Sequence, residues 1–389
     1  MTKKAKRLAV EGLGKTPIPF SRRMIVALAL LIANVPAIAK TPVVAIATLR
    51  TGDRIDGIDV IDALNVDDLA HGNIYRFWFR VTDNSIGQAW YVPVIVVRGA
   101  QKGPRLLLTA AIHGDELNGI DVIHQLAAKL DLATLVGTVI GVPGLNSSGI
   151  LHHTRGFTPG DGRTGDNLNR LMPGKTGKDA DIADRYANRL WTRLLRPNTD
   201  TTIDMHTQSR GTAYVMYAFA GSARARKIAE LIGPDILKLD PGVAGTVETE
   251  MIKSGVPAIT LELARPEEFD PVVVGRAIDG IERVMVDMKM LPEGSAPARK
   301  NTIFVGNKII EVHAMRGGFA HVVPALGSDV AKGDVIATIS DPFGRVVETI
   351  RAPESGRINT VATDPLRDPG DMLMRIVFTS EDAKCAADC

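Results

Sequence analysis

The segment LLLTAAIHGDE, residues 106–116, joins a strand-like run to two side chains that can bind a metal ion. Its first seven residues are almost wholly apolar, which is typical of a strand buried inside an α/β sheet. A helical pattern follows and continues to Leu130. His113 and Glu116 therefore lie in a short loop between a strand and a helix, where both side chains can be directed at one point.

A second histidine ends another strand-like run, about ninety residues later. This is His206, which follows the run TTIDM at residues 201–205. Two histidines and one carboxylate leave the fourth position of a tetrahedral zinc ion open for water. Structural zinc sites normally have four protein ligands, so His113, Glu116 and His206 predict one catalytic Zn²⁺ per chain.

Arginine and asparagine side chains lie between the two parts of this predicted metal site. Arg155 is followed by Arg163 and then by Asn169-Arg170. A guanidinium group can hold a carboxylate through two hydrogen bonds, and an asparagine adds a neutral donor. We therefore predict that Arg155, Asn169 and Arg170 bind a substrate that carries a free carboxylate, with Arg163 as the alternative to Arg155.

A single acidic residue interrupts a later apolar run. Residues 257–263 read PAITLEL, and Glu262 is the acid. Burying a carboxylate without a partner costs free energy, so a functional role is favoured over a structural one. The pair His152-His153, close to Arg155, is an alternative source of a metal ligand. On an extended segment only one of these two side chains could face the site.

Taken together, these motifs resemble the succinylglutamate desuccinylase/aspartoacylase family of the zinc carboxypeptidase superfamily, over roughly residues 90–380. The resemblance implies that Glu262 is the general acid/base. It also implies that two pairs of residues contact the substrate, Asn169-Arg170 and Thr154-Arg155. The family often has Asp two residues before the substrate-binding Asn, where this chain has Asn167. An asparagine can accept the proton of a ligand histidine, but it brings no charge.

The resemblance implies a zinc-dependent deacylase that hydrolyses the amide bond of an N-acyl amino acid. Zinc lowers the pKa of its bound water to about 7, and Glu262 would take the proton and return it to the leaving amine. Two alternatives stay open. One is a metallocarboxypeptidase acting on peptides, including cell-wall peptides, and the other is a non-catalytic binding protein that retains the fold.

Strand and helix patterns alternate from residue 91 to residue 295, which predicts an α/β fold. We expect a zinc-carboxypeptidase-like mixed, largely parallel sheet with flanking helices, the clearest of them at residues 180–195, 222–232 and 272–290. Short strand patterns rich in Gly and Pro then predict a small C-terminal β domain, similar to the barrel-sandwich repeats of biotinyl and lipoyl carriers. Its hairpin turn DPFG has no lysine to modify. The chain is thus predicted to divide into a leader at residues 1–39, a segment at residues 40–90 that leads into the catalytic domain, the catalytic domain at residues 91–295, the C-terminal β domain at residues 296–380 and a polar tail at residues 381–389.

The first 39 residues have the pattern of a secretory signal. Basic residues precede an apolar run at residues 24–33, and Ala37-Ile38-Ala39 follows. The run is short for a membrane span, so we expect none after the leader is removed. Export, to the periplasm, is predicted, with a cytoplasmic location as the alternative. Cys385 and Cys389 both lie in the polar tail.

Composition excludes some partners. The 389 residues carry a formal net charge of +2, and 5% of them are aromatic. A dedicated nucleic-acid binder would be strongly basic or rich in stacking residues. The expected partner is a small-molecule substrate, and the sequence leaves monomer and homo-oligomer both open.

Overall fold

The computed structural model describes residues 46–157 and 167–382. A single sheet of 11 strands forms its centre. The strands of the first part of the chain are β1 Leu49–Ile55, β2 Ile58–Ala63, β3 Asn73–Asp83, β4 Ala89–Arg98, β5 Gln101–Ala110, β6 Val136–Pro143, β7 Thr201–His206, β8 Thr212–Tyr214, β9 Met216–Ala220, β10 Ile236–Leu239, β11 Ala258–Leu263 and β12 Phe304–Gly306.

The strand order of this sheet is β1-β2-β3-β4-β6-β5-β7-β11-β9-β10-β12. Its central strands β6, β5, β7 and β11 all run parallel, and antiparallel pairs occur on both sides of them. Every residue of β7 and β11 is buried, as expected of strands covered on both faces. The carboxyl ends of β5, β7 and β11 therefore meet at one edge.

Helices cover both faces of the sheet. They are α1 Asn118–Lys129, α2 Ser147–His152, α3 Ile182–Leu190, α4 Ala223–Ile232, α5 Val247–Lys253 and α6 Pro271–Asp287. One apolar core includes residues of α1, α4 and α6, and a second includes residues of α3 and α5. Capping sets some of the boundaries. Asp270 accepts the backbone N–H groups of Val272 and Val273, and Pro271 occupies the first turn of α6.

Two predicted elements differ in extent from the observed ones. The strand expected at residues 106–112 ends at Ala110, because Ala111 adopts a left-handed backbone conformation with φ 53°. The helix expected at residues 180–195 is α-helical only as α3 and continues as a π-helical turn, Trp191–Leu195. Apolar residues remain buried through Leu195, so the periodicity does not reveal this change in winding.

Two smaller sheets follow. Their strands are β13 Lys308–His313, β14 Gly318–Val322, β15 Asp329–Val330, β16 Val335–Ser340, β17 Val346–Arg351, β18 Gly356–Ala362, β19 Leu366–Arg367 and β20 Met372–Phe378. One sheet has the order β13-β20-β18-β15 and the other β17-β16-β14-β19, with an apolar core between them. This architecture confirms the predicted α/β class with additional C-terminal β structure.

The large sheet and the C-terminal sheets exchange strands. β12 pairs with β10 at the edge of the large sheet, whereas β8 pairs with β18 of the C-terminal part. No helix within residues 46–157 and 167–382 has the length and apolar character needed to cross a membrane. The predicted leader, Arg163 and the two cysteines lie outside the described residues.

Candidate metal and substrate site

The three predicted metal ligands lie together at the carboxyl edge of the central strands. His113 and Glu116 follow β5, and His206 is the last residue of β7. Nδ1 of His113 is 2.8 Å from Oε1 of Glu116, and Nδ1 of His206 is 2.8 Å from Oε2. One donor atom from each residue lies within 4.8 Å of the others, and all three residues are buried.

Close packing holds the loop that carries the first two ligands. A Cβ atom built on Gly114 would lie 2.0 Å from the carbonyl carbon of Gly149. No side chain fits at that distance, so only glycine allows α2 to approach the loop. The backbone of Ala111 is also tied to α2, because its carbonyl accepts the N–H of Asn146 at 3.0 Å.

Each ligand histidine has an oxygen acceptor behind it. Nε2 of His113 lies 3.0 Å from Oδ1 of Asn167, and Nε2 of His206 lies 2.9 Å from Oδ2 of Asp204. Such contacts fix the tautomer and orientation of metal-binding imidazoles. Asp204 is fully buried, and its Oδ1 accepts a hydrogen bond of 2.6 Å from Thr109.

The donor set fits a metal ion. Nδ1 of His113 is buried and makes no hydrogen bond of normal geometry within the described residues, although Glu116 is close to it. Both Nδ1 atoms face the Glu116 carboxylate, and both Nε2 atoms face away from it toward their acceptors. Two imidazole nitrogens and a carboxylate are ligands that zinc accepts in catalytic sites.

The charges of the cluster are strongly coupled. Burial lowers the pKa of His206, but Asp204 and Glu116 outweigh burial and raise it well above its ordinary value. Burial alone would raise the pKa of Glu116. His113 and His206 lower it by more, so the pKa of this carboxyl lies below its ordinary range. Without a metal, the site therefore favours an ionised carboxylate beside a protonated imidazole.

Glu262 lies beside the metal cluster on the adjacent strand. In the pairing of β11 with β7 its Cα is the partner of His206. The side chain is buried, and Oε2 has no hydrogen-bond partner within the described part of the chain. Burial raises the pKa of Glu262 to about 8. A carboxyl group held this way can both accept and donate a proton near neutral pH.

The predicted substrate contacts occupy different positions around the cluster. Nη1 of Arg155 donates to Oε1 of Glu116 at 2.6 Å and to Ser209 at 2.7 Å. Asn169 is buried and lines the cavity. Its Oδ1 accepts the N–H of Val247 at 3.0 Å, and its Nδ2 lies 3.3 Å from Nε2 of His206. Its contact with the substrate stays a prediction.

Arg170 is exposed and lines the cavity next to the metal cluster. Within the described residues its guanidinium group makes no ion pair, and it donates to the carbonyl of Asn169 at 2.6 Å. Partial desolvation of its guanidinium group and the nearby Arg155 lower its pKa. Two guanidinium groups close to each other favour the binding of an anion between them.

The cavity has a volume of about 330 Å³. The C-terminal sheets supply part of its wall through Ile309, Glu311 and Arg375. Arg375 donates to Glu311 at 2.8 Å and to the hydroxyl of Tyr214 at 2.8 Å. Sequence reasoning missed this arrangement, because the residues come from strands far apart in the chain.

The alternative metal ligands are not part of the cluster. His152 ends α2, and His153 follows it in a left-handed conformation with φ 53°. The extended conformation expected for this pair is therefore wrong, since the segment is helical. Both side chains are exposed, and Nδ1 of His152 contacts the carbonyl of Ser148 at 2.8 Å.

Comparison with known proteins agrees with the motifs. Residues 102–287 match the model of the succinylglutamate desuccinylase/aspartoacylase catalytic domain, which confirms the resemblance predicted from the sequence. The chain is 27% identical over 270 residues to N-alpha-acetyl-L-2,4-diaminobutyric acid deacetylase of Halomonas elongata, covering 67% of this chain and 77% of that protein.

Two solved structures have the same fold. The product-bound ectoine utilization protein EutE (DoeB) of Ruegeria pomeroyi matches with a TM-score of 0.69 and 23% identity, covering 79% of this chain and 95% of that one. A succinylglutamate desuccinylase/aspartoacylase of Rhodobacter sphaeroides matches with a TM-score of 0.70 and 22% identity, covering 82% and 99%.

Proposed function

We propose that this chain, whose residues 102–287 form a succinylglutamate desuccinylase/aspartoacylase catalytic domain, is a zinc-dependent deacylase of a small N-acyl amino acid. The observation that carries the proposal is the common cavity. It brings the cluster of His113, Glu116 and His206 together with Glu262 and Arg170. The three parts supply a metal site, a proton carrier and a carboxylate contact.

A zinc ion bound by the three ligands would lower the pKa of a water molecule to about 7 and polarise the amide carbonyl. Glu262 accepts the proton of the attacking water and donates it to the leaving nitrogen. Arg170 holds the substrate carboxylate and so fixes the position of the scissile bond. Arg155 lies beside Glu116, where its charge stabilises the oxyanion that forms on the carbonyl oxygen.

The cavity volume supports a small substrate over a peptide. About 330 Å³ is at the lower end of the range for small-molecule pockets. The pair of Glu311 and Arg375 forms part of the wall and limits the space toward the C-terminal sheets. The Halomonas elongata relative is named for an N-acetylated amino acid, which agrees with this class of substrate.

The proposal is tested with purified protein, zinc analysis and a panel of N-acyl amino acids and short peptides. We expect amine release from N-acyl amino acids and little from peptides. Glu262→Gln should retain zinc and the fold but lose about 100-fold or more in turnover. Full zinc with no hydrolysis of any panel member would instead support a binding protein that retains the fold. Preference for peptides would support the carboxypeptidase alternative.

We also propose export to the periplasm. The support is the basic and apolar pattern of residues 1–39, followed by Ala37-Ile38-Ala39.

A further inference from the structure

Glu248 is a buried acid of the cavity wall that the proposed reaction does not use. It lies on α5, is 4% exposed and lines the cavity. Its Oε2 accepts a hydrogen bond from Thr260 at 3.1 Å. Its Oε1 lies near Gly221, whose backbone lowers the pKa of the carboxyl group, but it has no hydrogen-bond partner of normal geometry within the described residues. A buried polar atom of this kind, on a side chain that lines a cavity, indicates a contact that a ligand completes.

Glu248 forms no salt bridge within the described residues, although His206 acts on it electrostatically. Among the other acids of the wall, Glu116 pairs with Arg155, Asp240 with Lys238, and Glu311 with Arg375. Glu262 is the proposed proton carrier. Lys238 also acts electrostatically on Glu248, but its ammonium group is hydrogen-bonded to Asp240. Apart from the proton carrier Glu262, the described part of the cavity therefore retains one acid without an ion pair, Glu248, and one cation without an ion pair, Arg170.

The position of Glu248 relative to Glu262 is set by β11. Thr260, which holds the carboxyl of Glu248, and Glu262 are two residues apart on this strand and so point to the same face. Two residues of a strand span roughly 6.6 Å. A group bound by Glu248 would thus lie several bonds from the amide that Glu262 serves.

The same junction holds Glu248 and Arg170. The first N–H of α5, from Val247, donates to Oδ1 of Asn169 at 3.0 Å. The N–H of Met172 donates to the carbonyl of Gly245 at 3.0 Å. A Cβ atom on Gly245 would lie 2.1 Å from the carbonyl oxygen of Arg170, so the two segments are in direct contact. The backbone positions of the cation and the acid are therefore fixed relative to each other.

We infer that Glu248 binds a free ammonium group of the substrate. The substrate class is then an N-acyl amino acid whose side chain carries an amine, with its carboxylate on Arg170. This assignment rests on the proposed deacylase function. Burial raises the pKa of Glu248 to about 8, and an ammonium ion at Oε1 would favour its charged form.

The test uses substrates in matched pairs. Nα-acetyl-2,4-diaminobutyrate is compared with Nα-acetylnorvaline, and Nα-acetylornithine with Nα-acetylnorleucine, so that each pair differs by an ammonium group in place of a methyl group. We expect the wild-type protein to prefer the ammonium member of at least one pair. Glu248→Gln keeps the size and the acceptor for Thr260. It should lose about tenfold to 100-fold in kcat/KM for that member and less than about threefold for its methyl partner.

Glu230→Gln on the outer face of α4 is the matched control, because it removes an exposed carboxylate far from α5 in sequence and should change neither pair. Equal activity of the wild type on both members, or equal losses on both in Glu248→Gln, would overturn the inference and leave the deacylase intact. If no substrate is hydrolysed, the deacylase proposal fails. Calorimetric binding of 2,4-diaminobutyrate and of norvaline to the zinc-loaded protein then decides the inference alone. Preference for the diamino acid, lost in Glu248→Gln, supports it, and equal binding rejects it.

Discussion

The two acceptors behind the ligand histidines differ in charge, and exchanging them tests what that charge contributes. His206 faces the carboxylate of Asp204 at 2.9 Å, whereas His113 faces the amide of Asn167 at 3.0 Å. Asp204 is held from its other side by Thr109 at 2.6 Å and is fully buried. The Asp204 carboxylate is therefore held between Thr109 and His206. Removing its charge should chiefly change the basicity and orientation of the His206 imidazole.

Asp204→Asn should weaken zinc binding about tenfold to 100-fold, the usual effect of losing an outer partner of a metal-binding histidine. This equals about 1.4 to 2.8 kcal/mol, since each factor of ten is about 1.4 kcal/mol. Thr109→Val keeps the carboxylate and removes one hydrogen bond, for which about 1 kcal/mol, or roughly fivefold, is expected. Asn167→Asp should act in the opposite direction and tighten binding, because it adds a charged acceptor behind His113.

Zinc dissociation constants are measured by competition with a chelator at fixed pH. A second readout needs no metal. Asp204 and Glu116 raise the pKa of His206 against the effect of burial, so Asp204→Asn should lower that pKa in an NMR titration of the metal-free protein. If Asp204→Asn and Asn167→Asp both leave the dissociation constant within about twofold, these acceptors do not tune the site and the reasoning is wrong.

Four further predictions concern the ligands, the clamp, the ligand loop and the leader. His113→Ala and His206→Ala should each lose the one zinc per chain, and metal analysis that finds full occupancy in either variant rejects the ligand set. Arg170→Lys should chiefly raise KM and should change little for substrates whose carboxylate is masked; losses that simply multiply would show that Arg170 does not touch that group. Gly114→Ala should reduce the free energy of unfolding by about 1 to 3 kcal/mol, measured by denaturant titration, because its Cβ has no space; an unchanged midpoint contradicts this. Mass spectrometry of protein from its native cells should find an N-terminus at or near Lys40, and a chain that retains its first thirty residues argues against export.

The metal cluster could be predicted because its members lie at the end of an apolar strand or shortly after one. In a parallel sheet, side chains that follow neighbouring strands meet at one edge, and this places His113, Glu116 and His206 together. The sequence also pointed to Asp204. It lies two residues before His206 on the same strand, so the two side chains share a face. Its role needed the structure, because the alternation does not say which neighbour faces the imidazole.

Nothing in the sequence pattern singled out Glu248. It belongs to the helix sequence VETEMIK, in which Glu250 is an equally plausible candidate for burial. Only tertiary contacts separate the two, since Glu248 reaches Thr260 on β11 whereas Glu250 pairs with Lys253 near the surface. The contact of Arg375 with Tyr214 was equally hidden, because 161 residues separate the partners.

The exchange of β8 and β12 makes the C-terminal sheets part of the folded catalytic unit. A chain cut after residue 295 would lose β12 and expose the edge of β10, and it would leave β8 without its partner β18. The hydroxyl of Tyr214 would lose Arg375, and one wall of the cavity would be missing. Conversely, a protease that cuts the connecting segment near Pro292 would leave two fragments that stay associated. The pairs β10–β12 and β8–β18 each join one fragment to the other. The C-terminal sheets therefore cannot be lost or replaced independently of the site they enclose.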